Sequence, residues 1–535
     1  MLEIKINAVE PGFIASELVP SIFGDSQWQM AQGSSSTWRQ LVTTPHWNFV
    51  RGRRRTRLVT SSWPFSEFWT CRIGGATSTS KLRFHRTSAS SVGSPLAVLD
   101  CPKGGAGLSR RAVVCSDHHS VWEVEREMNI DAKAAGMDGA VLERIDEHLL
   151  RSYIKPGKIA GCLIAVARHG YLAHFSSLGL ADRERQVPVS DDTIWRIYSM
   201  TKPVTGVALM TLYEKGYFQL SDPVHRFIPS WKNQKVAVRR ADGTVELVEP
   251  DRPASVRDVM MHMAGLGYGP GNSDLDLGTP GESRRVSAPR SDASLEALCE
   301  RLATEPLRFQ PGTQWLYSFG TDVCARLVEV ISGTSFDDYL QTNLFDPLAM
   351  GDTGFFVDDR DVGRFAANYG RNSRRELVLI DDPAESAYRR RPTMLSGGGG
   401  LVSTAPDYLR FCQMLANGGE LDGQRVLGRK TVELMATNHL PGGGELSQFA
   451  LAGAYGEVGF NGMGFGLTMA IGLGPARTQV IGSAGEYMWG GAASTTFLID
   501  PAEDMLVVFM TQLMPSGTFN FRGQLKSLIY PAIVD

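Results

Sequence analysis

The chain has 535 residues, of which 43% are apolar and 21% charged, a balance that permits a large buried core and excludes a disordered or fibrous chain. Its formal net charge is −3, so no overall field draws nucleic acid or an anionic membrane surface, and neither is expected as a partner. No run reaches the about 18 apolar residues of a membrane span, and the start, Met1-Leu-Glu-Ile-Lys-Ile-Asn, lacks the pattern of a secretory signal; a cytoplasmic location is expected.

The first 127 residues are rich in Ser, Arg, Thr and Gly and sustain no hydrophobic periodicity, so a poorly ordered extension is predicted there. Its basic run Arg51-Gly-Arg-Arg-Arg-Thr-Arg57 reads as a solvated cluster, because no folded nucleic-acid reader accompanies it. Asp117-His118-His119 offers metal-ligating types, but three adjacent side chains point in different directions, and no metal is assigned. The segment Ile6-Asn7-Ala8-Val9-Glu10-Pro11-Gly12-Phe13-Ile14 resembles one that follows the active site of short-chain dehydrogenases. Without an upstream glycine-rich turn or Tyr/Lys pair it forms no dinucleotide site. A fusion remnant or an overextended start is the expected origin, with Met128 a candidate true start and 128–535 the expected serine hydrolase domain. Seven cysteines are scattered with no CxxC pair or zinc-type spacing and read as reduced, mostly buried thiols.

Order is predicted from about residue 139, where Val141, Leu142, Ile145 and Leu149 recur at helical spacing. Cys162-Leu-Ile-Ala-Val-Ala-Arg-His-Gly-Tyr reads as a buried strand entering a turn at Gly170, with a second strand over 171–180. Thr495-Thr-Phe-Leu-Ile-Asp-Pro and Met505-Leu-Val-Val-Phe-Met flank a turn at Asp500-Pro501 and give another hairpin, followed by a helix near 524–529. Hairpins at both ends with helix-rich sequence between them predict an α+β fold, an α/β/α sandwich in which helices flank an antiparallel sheet and a mainly helical region is inserted.

Three motifs lie along this region. In Ser199-Met200-Thr201-Lys202, followed by a helical pattern with Val204, Val207, Ala208 and Leu212 on one face, the three-residue spacing puts Lys202 beside Ser199 at a helix start. A serine hydroxyl is a weak nucleophile at neutral pH, and a lysine takes its proton only where burial or neighbouring cations lower the amine's pKa. Next, Tyr317 stands at the entrance of a helix carrying Phe319, Val323, Leu327 and Ile331 and ending at Gly333. Its hydroxyl can relay a proton, provided that nearby cations favour the phenolate. Last, Trp489-Gly490-Gly491-Ala492 runs into the strand at Ser494, where paired glycines let a substrate lie against the backbone and a strand amide, with that of Ser199, can form an oxyanion hole. Taken singly, each motif also fits a surface helix, a packed ring or a glycine-rich turn.

In this order the motifs resemble those of the penicillin-recognising serine hydrolases, most closely the family VIII carboxylesterases. The resemblance extends over about residues 139–535 and includes Asp222-Pro223-Val224, His262-Met-Ala-Gly265-Leu-Gly-Tyr, the glycine run 397–400 and Gly462-Met-Gly-Phe-Gly-Leu. It implies a β-lactamase/transpeptidase-like fold and two-step acyl transfer. Lys202 with Tyr317 deprotonates Ser199, and the amides of Ser199 and Ala492 hold the oxyanion. The partner implied is a small ester, with no cofactor.

Two departures bear on the substrate. Phe319 stands where lactam-cleaving members usually carry Asn, and Trp489 where they carry Lys or His. Trp489 is therefore expected to be an apolar wall beside the Gly490-Gly491 strand, suited to an acyl or alcohol group. Hydrolysis of small carboxylic esters is the expected activity. Lactam or D,D-peptide cleavage, acyl transfer to another acceptor and a non-catalytic acyl-binding module are the alternatives.

Overall fold

The computed structural model describes residues 129–268 and 293–535 throughout, and elsewhere only short strand segments. The chain divides into Met1–Asn129 and Ile130–Asp535. In the first unit Glu3–Lys5 pairs antiparallel with Thr37–Arg39 and Thr70–Arg72, and Arg54–Val59 pairs with Leu96–Val98 and Arg110–Ala112. The expectation of poor order for 1–127, with the features at 6–14, 51–53 and 117–119, otherwise lies outside the described residues.

The second unit opens with helix α1, Gly139–Leu149, whose first amides are capped by the Asp138 carboxylate and whose Leu142, Ile145 and Leu149 are buried. Strand β1, Gly161–Arg168, turns through His169 and Gly170 into β2, Tyr171–Asp182. Both turn residues have positive φ, 54° and 74°, as a two-residue hairpin matched to strand twist requires. β3 is Val187–Pro188, β4 Met463–Phe465, β5 Ala470–Gly472, β6 Tyr487–Gly490, β7 Thr496–Asp500 and β8 Met505–Thr511. They form one sheet in the order β3-β2-β1-β8-β7-β6-β5-β4, antiparallel at every pairing. β8 thus lies between β1 and β7 and joins the two ends of the unit.

Between β3 and β4 the insertion carries α2, Thr201–Glu214, α3, Val256–Met260, α4, Leu295–Thr304, α5, Gly320–Ser332, and α6, Ala405–Ala416. After β8 the chain ends in α7, Phe521–Ile529. Every residue of β1, β7 and β8 is buried, so helices cover both faces of the sheet. α1 packs on α7 and β2, whereas α6 packs on β1, β7 and β8. The fold is the expected α+β sandwich, and its insertion is helical as predicted. The four described cysteines, Cys162, Cys299, Cys324 and Cys412, are free and buried.

One element differs from its sequence reading. The pattern after Ser199 predicts a one-sided helix, but every residue of α2 from Thr201 to Leu212 is buried. As far as Leu212 the helix runs through the interior and packs on α5, and only its last residues, Tyr213 and Glu214, reach the surface. Gly206 permits one such approach, because a Cβ there would overlap the Thr468 side chain. Gly206→Val is expected to cost about 2 kcal/mol of stability, measured as a lowered urea midpoint by tryptophan fluorescence. An unchanged midpoint would show that this crossing has slack.

Candidate active site

The segment before Ser199 is pinned on several sides. Trp195–Arg196 pairs with Val402–Ser403, and Ile197 N donates to Leu401 O at 3.1 Å. The Arg196 guanidinium is fully buried; it donates to Asp381 Oδ2 at 2.7 Å and lies 3.8 Å from the Phe365 ring centre. Tyr198 takes a left-handed φ of 43°, and residues 198–200 form a single 3₁₀ turn that leads into α2. Ser199 therefore sits just before the helix, on a constrained turn, and Lys202 is the second residue of α2.

Lys202 Nζ stands 3.2 Å from Ser199 Oγ and donates to Gly398 O at 2.6 Å. It also lies 4.4 Å from the centre of the Tyr317 ring. The amine has no exposure to solvent, and this burial lowers its pKa to about 8, while the carboxylates of Asp322 and Glu457 pull it back upward. Gly398 can face Lys202 because the glycine run fits closely against α5: a Cβ on Gly397 would lie 2.8 Å from Thr321 O, and one on Gly398 2.5 Å from Asp322 Oδ2. Asp322 fixes the run by accepting from Ser396 Oγ at 2.6 Å and Gly398 N at 3.1 Å. Burial raises the Asp322 carboxyl, against the pull of the Ser396 bond and of Lys202.

Tyr317 is buried above this pair. Its hydroxyl is hydrogen-bonded to Ser199 and accepts from Trp489 Nε1 at 3.2 Å. Burial pushes the phenol well above its ordinary value, with Tyr268 and Glu457 acting in the same direction and the Ser199 and Trp489 bonds opposing. The phenolate favoured by nearby cations is thus not the resting form here: the site holds a protonated hydroxyl. His262 braces the same segment, with Nδ1 3.1 Å from Ser318 Oγ, its carbonyl accepting from Leu316 N at 2.9 Å and its ring 4.9 Å from that of Tyr317. Burial, and then the Lys202 charge, holds His262 neutral. Phe319, at the cap of α5, packs on Tyr268 with ring centres 4.8 Å apart.

The third motif arrives on β6. Trp489 is fully buried, so it meets the site through its indole N–H rather than as an open wall. Gly490 backs onto the Arg522 guanidinium, and a Cβ on Gly491 would overlap the Ile197 carbonyl, which puts the strand end directly against the Ser199 turn. Gly491 N donates to Thr495 O at 2.9 Å, making the partly buried Ala492 the next amide along.

Ser199, Lys202, Tyr317 and Trp489 are thus linked by contact. The sequence reading did not pick out Asp322, the Gly398 carbonyl, the His262 side chain or Tyr268. Asp322 looks like an ordinary first-turn acid on a helix, and the other three drew notice only as parts of family-like stretches. A depression of about 260 Å³ bordered by Leu212, Tyr217 and Ile331 lies at the far end of α2 and shares no residue with this cluster. Among the described residues, no group of three or more His, Cys, Asp or Glu is placed to hold a metal ion, and no helix is long and apolar enough to cross a membrane.

A buried lysine against a serine, with a protonated tyrosine beside them and a strand end alongside, can form and break an acyl bond. Comparison with known proteins points the same way. The family model described as Beta-lactamase matches residues 147–528. Protein Rv1367c of Mycobacterium tuberculosis is 33% identical over 371 residues, which cover 68% of this chain and 89% of that protein. Esterase EstB of Burkholderia gladioli is 29% identical over 410 residues, covering 73% and 95% of the two chains. Among solved structures, EstCE1, a hydrolase with promiscuous acyltransferase activity, superposes with a TM-score of 0.59 at 25% identity, over 74% of this chain and 99% of that one. With the family match running from α1 to α7, the chain belongs to the beta-lactamase family, whose members similar to it include esterases.

Proposed function

We propose that this protein hydrolyses small carboxylic esters through an acyl-enzyme on Ser199. The 3.2 Å approach of a dehydrated Lys202 amine to the Ser199 hydroxyl carries this reading. Neutral Lys202 takes the Ser199 proton as Oγ attacks the ester carbonyl. The oxyanion is held by the amides of Ser199 and Ala492, an interaction worth about 3 kcal/mol for each donor. Tyr317 gives its proton to the departing alcohol oxygen and regains one from Lys202, so no net charge is left on the phenol. Water then attacks the acyl group, its proton passing to the same pair, and Ser199 is released with the acid. Burial of both Lys202 and Tyr317 suits these roles, since it favours the neutral amine and the protonated phenol.

Esters are favoured over lactams because Trp489 and Phe319 put an indole and a phenyl ring where lactam-cleaving relatives carry polar groups, leaving no cation from the third motif for a substrate carboxylate. Acyl transfer to an alcohol acceptor is a second reading, favoured by the acyltransferase activity named for EstCE1; it uses the same acyl-enzyme and differs only in what replaces water.

Ser199→Ala is expected to lower kcat on p-nitrophenyl butyrate by about 10³-fold or more. Near-parent activity in that variant would remove Ser199 as the nucleophile. kcat/KM should rise with pH as free Lys202 loses its proton, with the limb centred at about 8. The Asp322 charge raises the Lys202 pKa, so Asp322→Asn should move this limb to lower pH; a limb that stays put or moves upward would show that Lys202 is not the titrating base. Nitrocefin turnover should fall well below that of the butyrate ester in kcat/KM, and parity would restore the lactamase reading.

A further inference from the structure

Tyr455 lies in the irregular stretch between Ala450 and Met463 and is 47% exposed, unlike the other aromatic rings around Tyr317. Its ring centre is 6.2 Å from that of Tyr317. The hydroxyl end is enclosed: it lies 3.1 Å from Glu457 Oε1 and against Ser516 Oγ. Those two partners are themselves only 2% and 6% exposed. Glu457 is fixed in turn by Ser516 Oγ at 2.7 Å and by Arg522 Nη2 at 3.3 Å, from the first turn of α7. With its hydroxyl held by two buried partners, Tyr455 still leaves about half of its surface open.

A half-exposed aromatic ring is a good surface for a planar apolar group. Its rigidity matters, because the anchored phenol loses little freedom when a ligand packs on it. The ring stands beside Tyr317, the group that protonates the departing oxygen in the mechanism above, and so borders the alcohol side of the ester. Trp489, which the sequence casts as the apolar wall, is fully buried behind Tyr317 and cannot present such a surface.

We propose that Tyr455 is the specificity-determining wall of the alcohol subsite, and that its tethered ring selects esters of flat, apolar alcohols such as phenols. This rests on the reading of Tyr317 as the proton donor to the leaving group. Glu457 and Ser516 are positioning residues for the ring.

Two readouts test the proposal. The ratio of kcat/KM for phenyl acetate to that for ethyl acetate, at constant acyl group, is expected to fall about tenfold in Tyr455→Ala, in keeping with the loss of one aromatic contact. Tyr455→Phe keeps the ring and should stay within about threefold of the wild type. In parallel, phenol should slow labelling of Ser199 by a fluorophosphonate, and this protection should be lost in Tyr455→Ala and kept in Tyr455→Phe. An unchanged ratio and intact protection in Tyr455→Ala would overturn the wall. Wild-type protein that accepts the fluorophosphonate but cleaves neither acetate would overturn the ester reading alone, because protection by phenol still decides the wall. Wild-type protein that is not labelled at Ser199 would overturn both.

Discussion

The structure around the site depends on the cost of keeping the Lys202 amine out of water. A dehydrated ammonium must find anionic or carbonyl partners or give up its proton, and Lys202 is balanced between the two. Burial drives it toward the neutral form, while the Gly398 carbonyl and the Asp322 charge support the charged one. This balance explains the glycine run, since a side chain on Gly397 or Gly398 would push the loop off α5 and take the carbonyl from Lys202. Thr205, one turn further along α2, holds the same loop by donating to Gly397 O at 2.8 Å. Asp322 therefore acts in two ways, as the clamp that shapes the loop and as the charge that sets the proton affinity of the amine.

Tyr317 responds to the same dry surroundings with the opposite outcome. A phenol is neutral when protonated, so burial fixes its proton in place, whereas burial loosens that of an amine. Two adjacent groups in one environment thus become an acceptor and a donor. The indole of Trp489 adds a hydrogen bond to the phenol oxygen without adding charge, and His262 holds the neighbouring Ser318 while remaining neutral itself. With His262 held neutral, the charge beside Ser199 and Tyr317 is that of Lys202.

The scaffold supplies rigidity from both sides of the motif. Arg196, with Asp381 and the Phe365 ring, locks the approach to Ser199. At the far edge, Lys526 and Tyr530 reach from α7 and its continuation to Glu486, just ahead of β6, at 2.5 Å and 3.1 Å, and Tyr530 also donates to Asp500 Oδ2 at 2.6 Å. This buried network ties the C-terminal helix to the strand that carries Trp489. Breaking such a network leaves unpaired charge in the interior, which favours keeping its members together. Arg522, on the same helix, serves both the Gly490 strand and Glu457, so the third motif and the Tyr455 loop share one support.

Local order was legible in the sequence wherever it depends on near neighbours. The His169-Gly170 turn, the hairpin around Asp500-Pro501, the end of α5 at Gly333 and the buried run of β1 all follow from short-range chemistry, as does the Ser199–Lys202 pairing across one turn. Their order along the chain carried the family and the α+β fold. Three features required the tertiary structure. α2 is buried all round from Thr201 to Leu212 because layers distant in sequence enclose it, which no single-helix pattern encodes. The protonation preferences of Lys202 and Tyr317 come from dehydration by residues far apart in the chain, and local composition does not carry that information. Trp489, expected as an apolar wall, is fully buried, whereas Tyr455, from an irregular loop that no sequence pattern singled out, is half exposed. Bonding along the chain decides which residues are neighbours in sequence, but exposure and electrostatics are decided by what packs across space.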